Sequence, residues 1–219
     1  MAKTATLIGA SGLIGNHLLQ LLLDDPYFDT VKILVRRKLQ TNHQKLEQKI
    51  VDFNDNDSLL VAMDNSDIVF CTVGTTQKKV KGDKEVYRKI DYDIPVKMAR
   101  FCKMTGCESF ILVSSAGANS RSKNFYLNLK GEVEEAIQTT GIRSVYVMRP
   151  SMLMGNRKEY RFGEKVITPA MNAISFLLPS KYKPIQAEDV AKAMLASSKQ
   201  NTEGFFIWEY NAMMKYKNL

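Results

Sequence analysis

Residues 4–15 read TATLIGASGLIG, and this stretch decides the fold of the chain. The apolar run Thr4–Ile8 predicts a short buried strand, and apolar residues at helical spacing predict a helix from Leu13 to about Leu23. Between them three glycines form the pattern Gly-x-x-Gly-x-x-Gly. A glycine motif that lies between a strand and a helix is a more specific signal than the same motif alone.

The glycine turn predicts a binding site for the pyrophosphate of a dinucleotide. Gly9 can leave the strand with a positive φ, Gly12 lets the backbone approach a phosphate, and Gly15 permits close packing of helix on strand. The free amides and the dipole at the start of the helix favour negative charge. The alternative is a tight turn that binds nothing. The predicted cofactor contacts in this turn are Gly9, Ala10, Ser11, Gly12, Leu13 and Ile14.

The rest of the chain alternates between strand-like and helix-like segments, which predicts an α/β protein with a doubly wound parallel sheet and helices on both faces. Further strands are predicted at Val31–Val35, Ile50-Val51, Asp67–Thr72, Ser109–Val113 and Ser144–Met148, with a last apolar run at Phe205–Trp208. Helices are predicted at Ser58–Met63, Lys84–Met104 with a kink at Pro95, Phe125–Gln138, about Thr168–Leu178, and Ala187–Ser198.

No segment has the composition of a linker, so residues 1–219 are expected to form one domain. Its cofactor part is expected to cover about residues 1–150, and a small substrate or lid part about 151–219. In a sheet of this kind ligands bind beyond the carboxyl ends of the strands, where the strand order reverses.

The end of the second predicted strand favours NADP(H) over NAD(H). Folds that bind NAD place an Asp or Glu there for the ribose 2′-hydroxyl. Here Val35 is followed by Arg36, Arg37 and Lys38, without an acidic residue. A guanidinium forms charge-assisted hydrogen bonds with a 2′-phosphate. An exposed basic loop is the alternative interpretation.

Two other strand ends supply candidate cofactor contacts. Asp52 is placed to accept a hydrogen bond from the adenine amino group, with Phe53 against the ring. Thr72, Val73 and Gly74 lie at the end of the fourth strand. Because Gly74 has no side chain, the backbone there could pass close beneath the cofactor. Taken alone, each of these segments is more often an ordinary turn.

The pair Tyr126 and Lys130 is the strongest catalytic signal. A spacing of four residues puts both side chains on one face of a helix. A phenol has a pKa of about 10, and a nearby ammonium favours its deprotonated form. The pair is therefore suited to pass a proton to or from a substrate oxygen, and Ser115 at the end of the fifth strand is placed to hydrogen-bond the same oxygen. The spacing is also common on ordinary helices.

Together these motifs resemble the short-chain dehydrogenase/reductase superfamily, and most closely its atypical branch around the Tat-interacting-protein oxidoreductases and their bacterial relatives. The supporting stretches, across roughly the first 155 residues, are Gly9–Gly15, Leu34–Leu39, Val51–Phe53, Val73–Thr76, Ser114–Ala118, Phe125–Val133 and Met148–Pro150.

The resemblance implies a Rossmann fold with NADP(H) at the glycine turn. It implies that Tyr126 is the acid–base, that Lys130 binds the nicotinamide ribose and favours the phenolate, and that Ser115 orients the substrate. Pro150 and Ser151 would lie near the nicotinamide. Two features depart from the superfamily. The separation of Ser115 and Tyr126 is short, and Asp91 stands near the place where many members carry Asn.

Other polar residues are interpreted as structural. Asp91 and Asp93 are expected on different helix faces of a polar stretch. Neither His17 nor His43 is accompanied by other potential metal ligands, and no metal site is predicted. The helix that follows the fifth predicted strand carries three glutamates, which are interpreted as a solvated face: Glu132, Glu134 and Glu135. Phe162–Leu178 is the candidate lid.

Composition narrows the remaining possibilities. The formal net charge is +8, but the basic residues are spread along the chain without a recognised nucleic-acid motif, so an anionic cofactor is the better explanation. Three cysteines without a Cys-x-x-Cys pair fit a reduced compartment, with Cys71 as a core residue. No signal peptide or membrane span is predicted, so a cytoplasmic location is expected.

The leading hypothesis is an NADP(H)-dependent oxidoreductase that reduces or oxidises a small carbonyl or alcohol. The alternative is a non-catalytic NADP(H) sensor that regulates a protein partner, with Tyr126 and Lys130 as cofactor ligands. Nucleic-acid binding is a third and weaker possibility. A homodimer is compatible with the sequence.

Overall fold

The computed structural model describes residues 3–155 and 179–219, and their strands make two parallel sheets. In these residues the strands are β1 (Lys3–Ile8), β2 (Phe28–Val35), β3 (Leu46–Ile50), β4 (Ile68–Cys71), β5 (Ser109–Val113), β6 (Ser144–Met148), β7 (Leu153–Met154), β8 (Ile185–Gln186) and β9 (Gly204–Trp208). Seven of them form the main sheet in the order β3-β2-β1-β4-β5-β6-β9, while β7 pairs with β8. Every pairing is parallel.

Helices connect the strands. They are α1 (Leu13–Asp24), α2 (Asn56–Met63), α3 (Lys84–Arg88), α4 (Ile94–Met104), α5 (Phe125–Gln138), α6 (Ala187–Ser198) and α7 (Tyr210–Met214). A π-helical turn at Lys89–Asp93 joins α3 to α4. Side-chain caps fix several helix starts: for example, the Asn124 carboxamide accepts hydrogen bonds from the backbone amides of Tyr126 and Leu127 at the start of α5. Such caps contribute about 1 kcal/mol each.

Both faces of the main sheet are buried by helices. Ile14, Leu18 and Leu22 recur every four residues along α1 and pack with α6 and with β1 and β2 in one apolar cluster. On the opposite face α2, α4 and α5 cover the sheet, and Val133 and Ile137 of α5 belong to that second cluster. Burying each such side chain stabilises the fold by about 1.5–3 kcal/mol.

The strand order reverses at β1, which lies between β2 and β4. Parallel strands joined by crossovers on both sides of one strand leave a crevice at its carboxyl end, and ligands of such folds bind there. This arrangement confirms the predicted α/β class with a doubly wound parallel sheet.

The third strand was predicted at the wrong residues. It runs from Leu46 to Ile50 rather than over Ile50-Val51. The strand lies at the edge of the sheet and most of its side chains are exposed, so its sequence, LEQKI, lacks the apolar run that marks the inner strands. Strands β5 and β6 and helices α5 and α6 begin and end at the predicted residues.

The long helix predicted over Lys84–Met104 is interrupted. Pro95 has no amide hydrogen to donate to the carbonyl of Asp91, four residues earlier, and its ring crowds that carbonyl. The chain widens into the π-helical turn just before this proline. The predicted helix at about Thr168–Leu178 and the candidate lid lie outside the described residues. Among the helices of the described ranges, none has the length and apolar character needed to cross a membrane.

Candidate active site

A cleft of about 870 Å³ opens at the carboxyl ends of β1, β4, β5 and β6, where the strand order reverses. This volume lies within the usual range for small-molecule and cofactor sites. Most of the predicted site residues line it, namely Ser11, Gly12, Leu13, Ile14, Thr72, Val73, Gly74, Ser115, Tyr126, Lys130, Pro150 and Ser151. The glycine turn, the end of β4 and the start of α5 therefore meet in one space.

The glycine turn has the geometry that a dinucleotide pyrophosphate requires. Gly9 has a φ of +93°, which only glycine adopts without strain. At Gly15, a Cβ would lie 2.1 Å from the carbonyl oxygen of Gly9, so helix α1 packs directly on the turn. Gly12 begins that helix without a side-chain cap, which leaves the first amides of α1 for an anion in the cleft. Thr72 closes the turn by donating to the carbonyls of Ile8 and Gly9 at 3.1 Å.

The residues predicted to meet the adenosine half of the cofactor lie along the same edge of the sheet but outside the cleft lining. Arg36 and Arg37 follow β2, are exposed, and form no ion pair with another residue of the described ranges. The Asp52 carboxylate is exposed and accepts from the amide and the side chain of Asn54 at 2.9 Å. Phe53 is half-buried against the second apolar cluster.

Lys130 is buried and forms an ion pair that the sequence did not reveal. Its ammonium lies 2.9 Å from Oδ1 of Asp91, which is only 1% exposed. Burial alone lowers the pKa of Lys130, but the charges of Asp91 and Tyr126 and the hydrogen bond to Asp91 outweigh it and raise that pKa above its usual value. The ammonium is therefore charged at neutral pH. Asp91 is buried while Asp93 is exposed, so the two carboxylates lie on different faces, as expected, and the ion pair with Lys130 is the feature that the sequence did not predict.

The second oxygen of Asp91 holds the loop after β4. Oδ2 accepts the amide hydrogen of Thr75 at 2.7 Å, and the Tyr87 hydroxyl donates to the carbonyl of the same threonine at 3.2 Å. Thr75 is buried and lines the cleft next to Gly74. One carboxylate thus connects Lys130 to the segment that passes under the cleft.

Tyr126 is half-buried and lines the cleft one helical turn before Lys130. The Lys130 ammonium lies 6.0 Å from the centroid of the Tyr126 ring. The ring packs against a small apolar cluster formed by Val80, Tyr87 and Leu129. Ser115 also lines the cleft, and its hydroxyl donates to the carbonyl of Ala116 at 3.4 Å.

A second buried ion pair lies behind the cleft. Glu134, four residues after Lys130, is buried and contacts Arg149, whose Nε lies 3.1 and 3.2 Å from the two carboxylate oxygens. The buried Ser114 hydroxyl donates to the same carboxylate. The interpretation of Glu134 as part of a solvated face is therefore wrong, whereas Glu132 and Glu135 contact exposed partners.

The remaining predictions concern single residues. Cys71 is fully buried, as predicted, and burial raises the pKa of its thiol to about 11, so the thiol is neutral. His17, which was interpreted as structural, lies in the cleft lining.

The parallel sheet and the glycine turn at its reversal point define a Rossmann-type dinucleotide-binding protein. A family model described as NAD(P)H-binding matches residues 9–201, and the chain belongs to this NAD(P)H-binding family. The resemblance found in the sequence is thereby confirmed.

Relatives of similar length support the same assignment. The chain is 34% identical to the protein HTATIP2 of Rattus norvegicus over 196 residues, which cover 88% of this chain and 80% of that protein. It is 33% identical to the mitochondrial protein FMP52 of Candida glabrata over 210 residues, which cover 92% and 89%. Because the fungal relative is named as mitochondrial, the expected cytoplasmic location stays a prediction.

Solved structures share the fold at low sequence identity. MoeE5 in complex with UDP-glucuronic acid and NAD superposes with a TM-score of 0.74 at 16% identity and covers 94% of this chain and 76% of that one. The uronate dehydrogenase of Agrobacterium tumefaciens superposes with a TM-score of 0.71 at 13% identity, covering 95% and 76%. At these identities the likeness concerns the fold alone.

Proposed function

We propose that this protein is an NADP(H)-dependent oxidoreductase that interconverts a small carbonyl compound and its alcohol. One observation carries the proposal: Tyr126 and the buried, charged Lys130 line the same cleft as the glycine turn. A proton donor and a cofactor site in one cleft are what a carbonyl reduction requires.

The cofactor would be held along the carboxyl edge of the sheet. The amides at the start of α1 would bind its pyrophosphate, the segment 72–74 would pass beneath it, and Lys130 would bind the nicotinamide ribose. Arg36 and Arg37 support a preference for NADP(H), because two exposed guanidinium groups follow β2 where an NAD site carries a carboxylate. Asp52 and Phe53 would contact the adenine.

The chemistry divides between the cofactor and the side chains. NADPH supplies a hydride for the carbonyl carbon when it is bound. The Tyr126 hydroxyl donates a proton to the carbonyl oxygen, so that the product is an alcohol. The Lys130 ammonium stabilises the phenolate that remains, and Ser115 donates a hydrogen bond that orients the substrate oxygen.

Residues 151–219 would form the substrate side of the domain, and residues 1–150 the cofactor side. Pro150 and Ser151, together with Met154 and Ala187, line the cleft that the glycine turn also lines. Leu153 and Met154 give this wall apolar groups and Gln186 and Glu188 give it polar ones, so it could contact both kinds of group on a small carbonyl compound.

Conversion of Tyr126 to Phe tests the proposal. The variant keeps the ring and its packing but loses the proton donor, so turnover of NADPH with a carbonyl panel should fall on the order of a hundredfold or more. NADPH affinity, measured from the fluorescence of the bound cofactor, should stay within about twofold, a change of less than about 0.5 kcal/mol. Tyr182→Phe is the matched control, because that tyrosine is exposed and outside the cleft lining.

The outcomes separate the hypotheses. Full activity in Tyr126→Phe would refute the mechanism. NADPH binding by the wild type without turnover of any carbonyl compound would favour the non-catalytic sensor, and a partner whose binding depends on the NADPH/NADP ratio would then be sought.

A further inference from the structure

We infer that Asp91 is a positioning residue, which holds the Lys130 ammonium and the Thr75 backbone in one fixed arrangement within the cleft. The inference rests on the proposed function of the cleft. It adds a residue for which the sequence suggested no role, in place of the Asn that many members of the wider superfamily carry.

The contacts of Asp91 are divided between two elements of the site. Oδ1 lies 2.9 Å from the ammonium of Lys130 on α5, and Oδ2 accepts from the amide of Thr75 in the loop after β4 at 2.7 Å. Both oxygens are therefore occupied by groups of the chain itself. An Asn side chain in the same position would present an amino group, which cannot accept a hydrogen bond, to one of these two donors.

The π-helical turn explains why this side chain reaches the cleft. Pro95 cannot donate a regular helical hydrogen bond to the carbonyl of Asp91, and in the π-helical turn Lys89–Asp93 the Asp91 side chain is buried while that of Asp93 is exposed. Single π-helical turns inside longer helices occur frequently at functional sites.

The buried environment gives the carboxylate an electrostatic role. Within residues 3–155 and 179–219, the titratable groups that act on the Lys130 ammonium are Asp91 from the π-helical turn, Tyr126 from the same helix and Cys71 from β4. The thiol is neutral, so Asp91 is the carboxylate that balances the ammonium. Without it, a buried lysine loses its proton more easily because water no longer stabilises the charge.

The test is the titration of Lys130 in the ligand-free protein, which needs neither cofactor nor substrate. The ¹³Cε resonance of Lys130, assigned by its loss in Lys130→Met, should titrate at lower pH in Asp91→Asn than in the wild type. Asp93→Asn, the same substitution at an exposed site of the same turn, should leave the titration unchanged. Asp91→Glu should restore most of the wild-type behaviour.

A second measurement covers the case in which Asp91→Asn does not fold. Asp91→Asn/Lys130→Gln removes both charges, and it should be more stable in thermal unfolding than Asp91→Asn alone, because no unpaired charge is buried. In a folded Asp91→Asn, turnover should fall on the order of a hundredfold, since small misplacements of positioning groups have effects of this size.

Failure of this inference is distinguishable from failure of the proposed function. An unchanged Lys130 titration in folded Asp91→Asn, or a double variant no more stable than the single one, would overturn the role of Asp91 even if the protein reduces carbonyl compounds. A shifted titration in a protein without any turnover would support the role of Asp91 and refute the proposed reaction.

Discussion

The two ends of the carboxyl edge of the sheet are built in opposite ways. At the α5 end (Asp91, Tyr126 and Lys130) the charged groups are paired inside the protein and largely buried. At the β2 end (Arg36 and Arg37) the charged groups are exposed and form no ion pair within the described ranges. The α5 end is thus held by contacts within the chain, whereas Arg36 and Arg37 at the β2 end are exposed and have no ion-pair partner in the described ranges.

The difference between the two ends indicates how well each should tolerate substitution. Preorganised groups are effective in catalysis because they need no rearrangement during the reaction, but each depends on its partner. Exposed arginines contribute little to folding, so Arg36 and Arg37 can be replaced with little effect on the stability of the fold.

The largest expected effect on stability comes from removing the ion pair at the α5 end. Lys130→Met leaves the Asp91 carboxylate buried without its counter-ion, which should destabilise the ligand-free protein by about 3–5 kcal/mol. Arg36→Ala/Arg37→Ala, the comparison variant, should stay within about 0.5 kcal/mol of the wild type. Chemical denaturation of both variants measures the difference. An exposed ion pair contributes less than about 1 kcal/mol to stability. If Lys130→Met lowers the free energy of unfolding by no more than that, the contrast between a buried α5 end and an exposed β2 end would be wrong.

The β2 end should show the reverse behaviour when the cofactor is titrated. Arg36→Ala/Arg37→Ala removes the charge-assisted hydrogen bonds to a 2′-phosphate, worth about 1.5–3 kcal/mol, so NADPH affinity should fall roughly ten- to a hundredfold.

NADH is the control ligand for the same double variant. It lacks the 2′-phosphate, so its affinity should change by less than about threefold, or about 0.7 kcal/mol. Cofactor fluorescence titrations give both values. Equal losses for NADPH and NADH would mean that the arginines act on a part that the two cofactors share, and the proposed preference would be wrong.

The sequence predicts the groups at these two ends unequally well. The glycine turn and the pair Tyr126 and Lys130 follow from local spacing alone, because strand, turn and helix place them without help from distant residues. Glu134 was also within reach of that reasoning: it follows Tyr126 and Lys130 at intervals of four and so shares their buried helix face. Grouping it with its sequence neighbours, which point elsewhere, led to the wrong interpretation.

Asp91 and β3 were beyond local reasoning for different reasons. Asp91 lies in a π-helical turn, which local spacing does not predict, and its partners Lys130 and Thr75 come from two other segments of the chain. Among the described strands, β3 pairs with β2 alone at the sheet edge, and its pairing rather than its composition makes it a strand.

The smallest expected effect is the pH dependence of the stability that the Lys130 ion pair provides. The pKa of Lys130 is raised in the folded protein, so this stability is fully present below the pKa of an unfolded lysine, about 10.4, and is lost as pH rises through the folded value. The difference in unfolding free energy between wild type and Lys130→Met should therefore be constant from about pH 8 to 10 and decrease above that range.

Lys123→Met is the control for this window, because Lys123 is exposed and its removal leaves no buried charge. Its difference from the wild type should be close to zero throughout. A wild-type advantage over Lys130→Met that already declines between about pH 8 and 9 would mean that the ammonium loses its proton in the range where a reductase works. The α5 end would then hold a neutral amine at that pH, and both the buried ion pair and the contrast between the two ends would have to be abandoned.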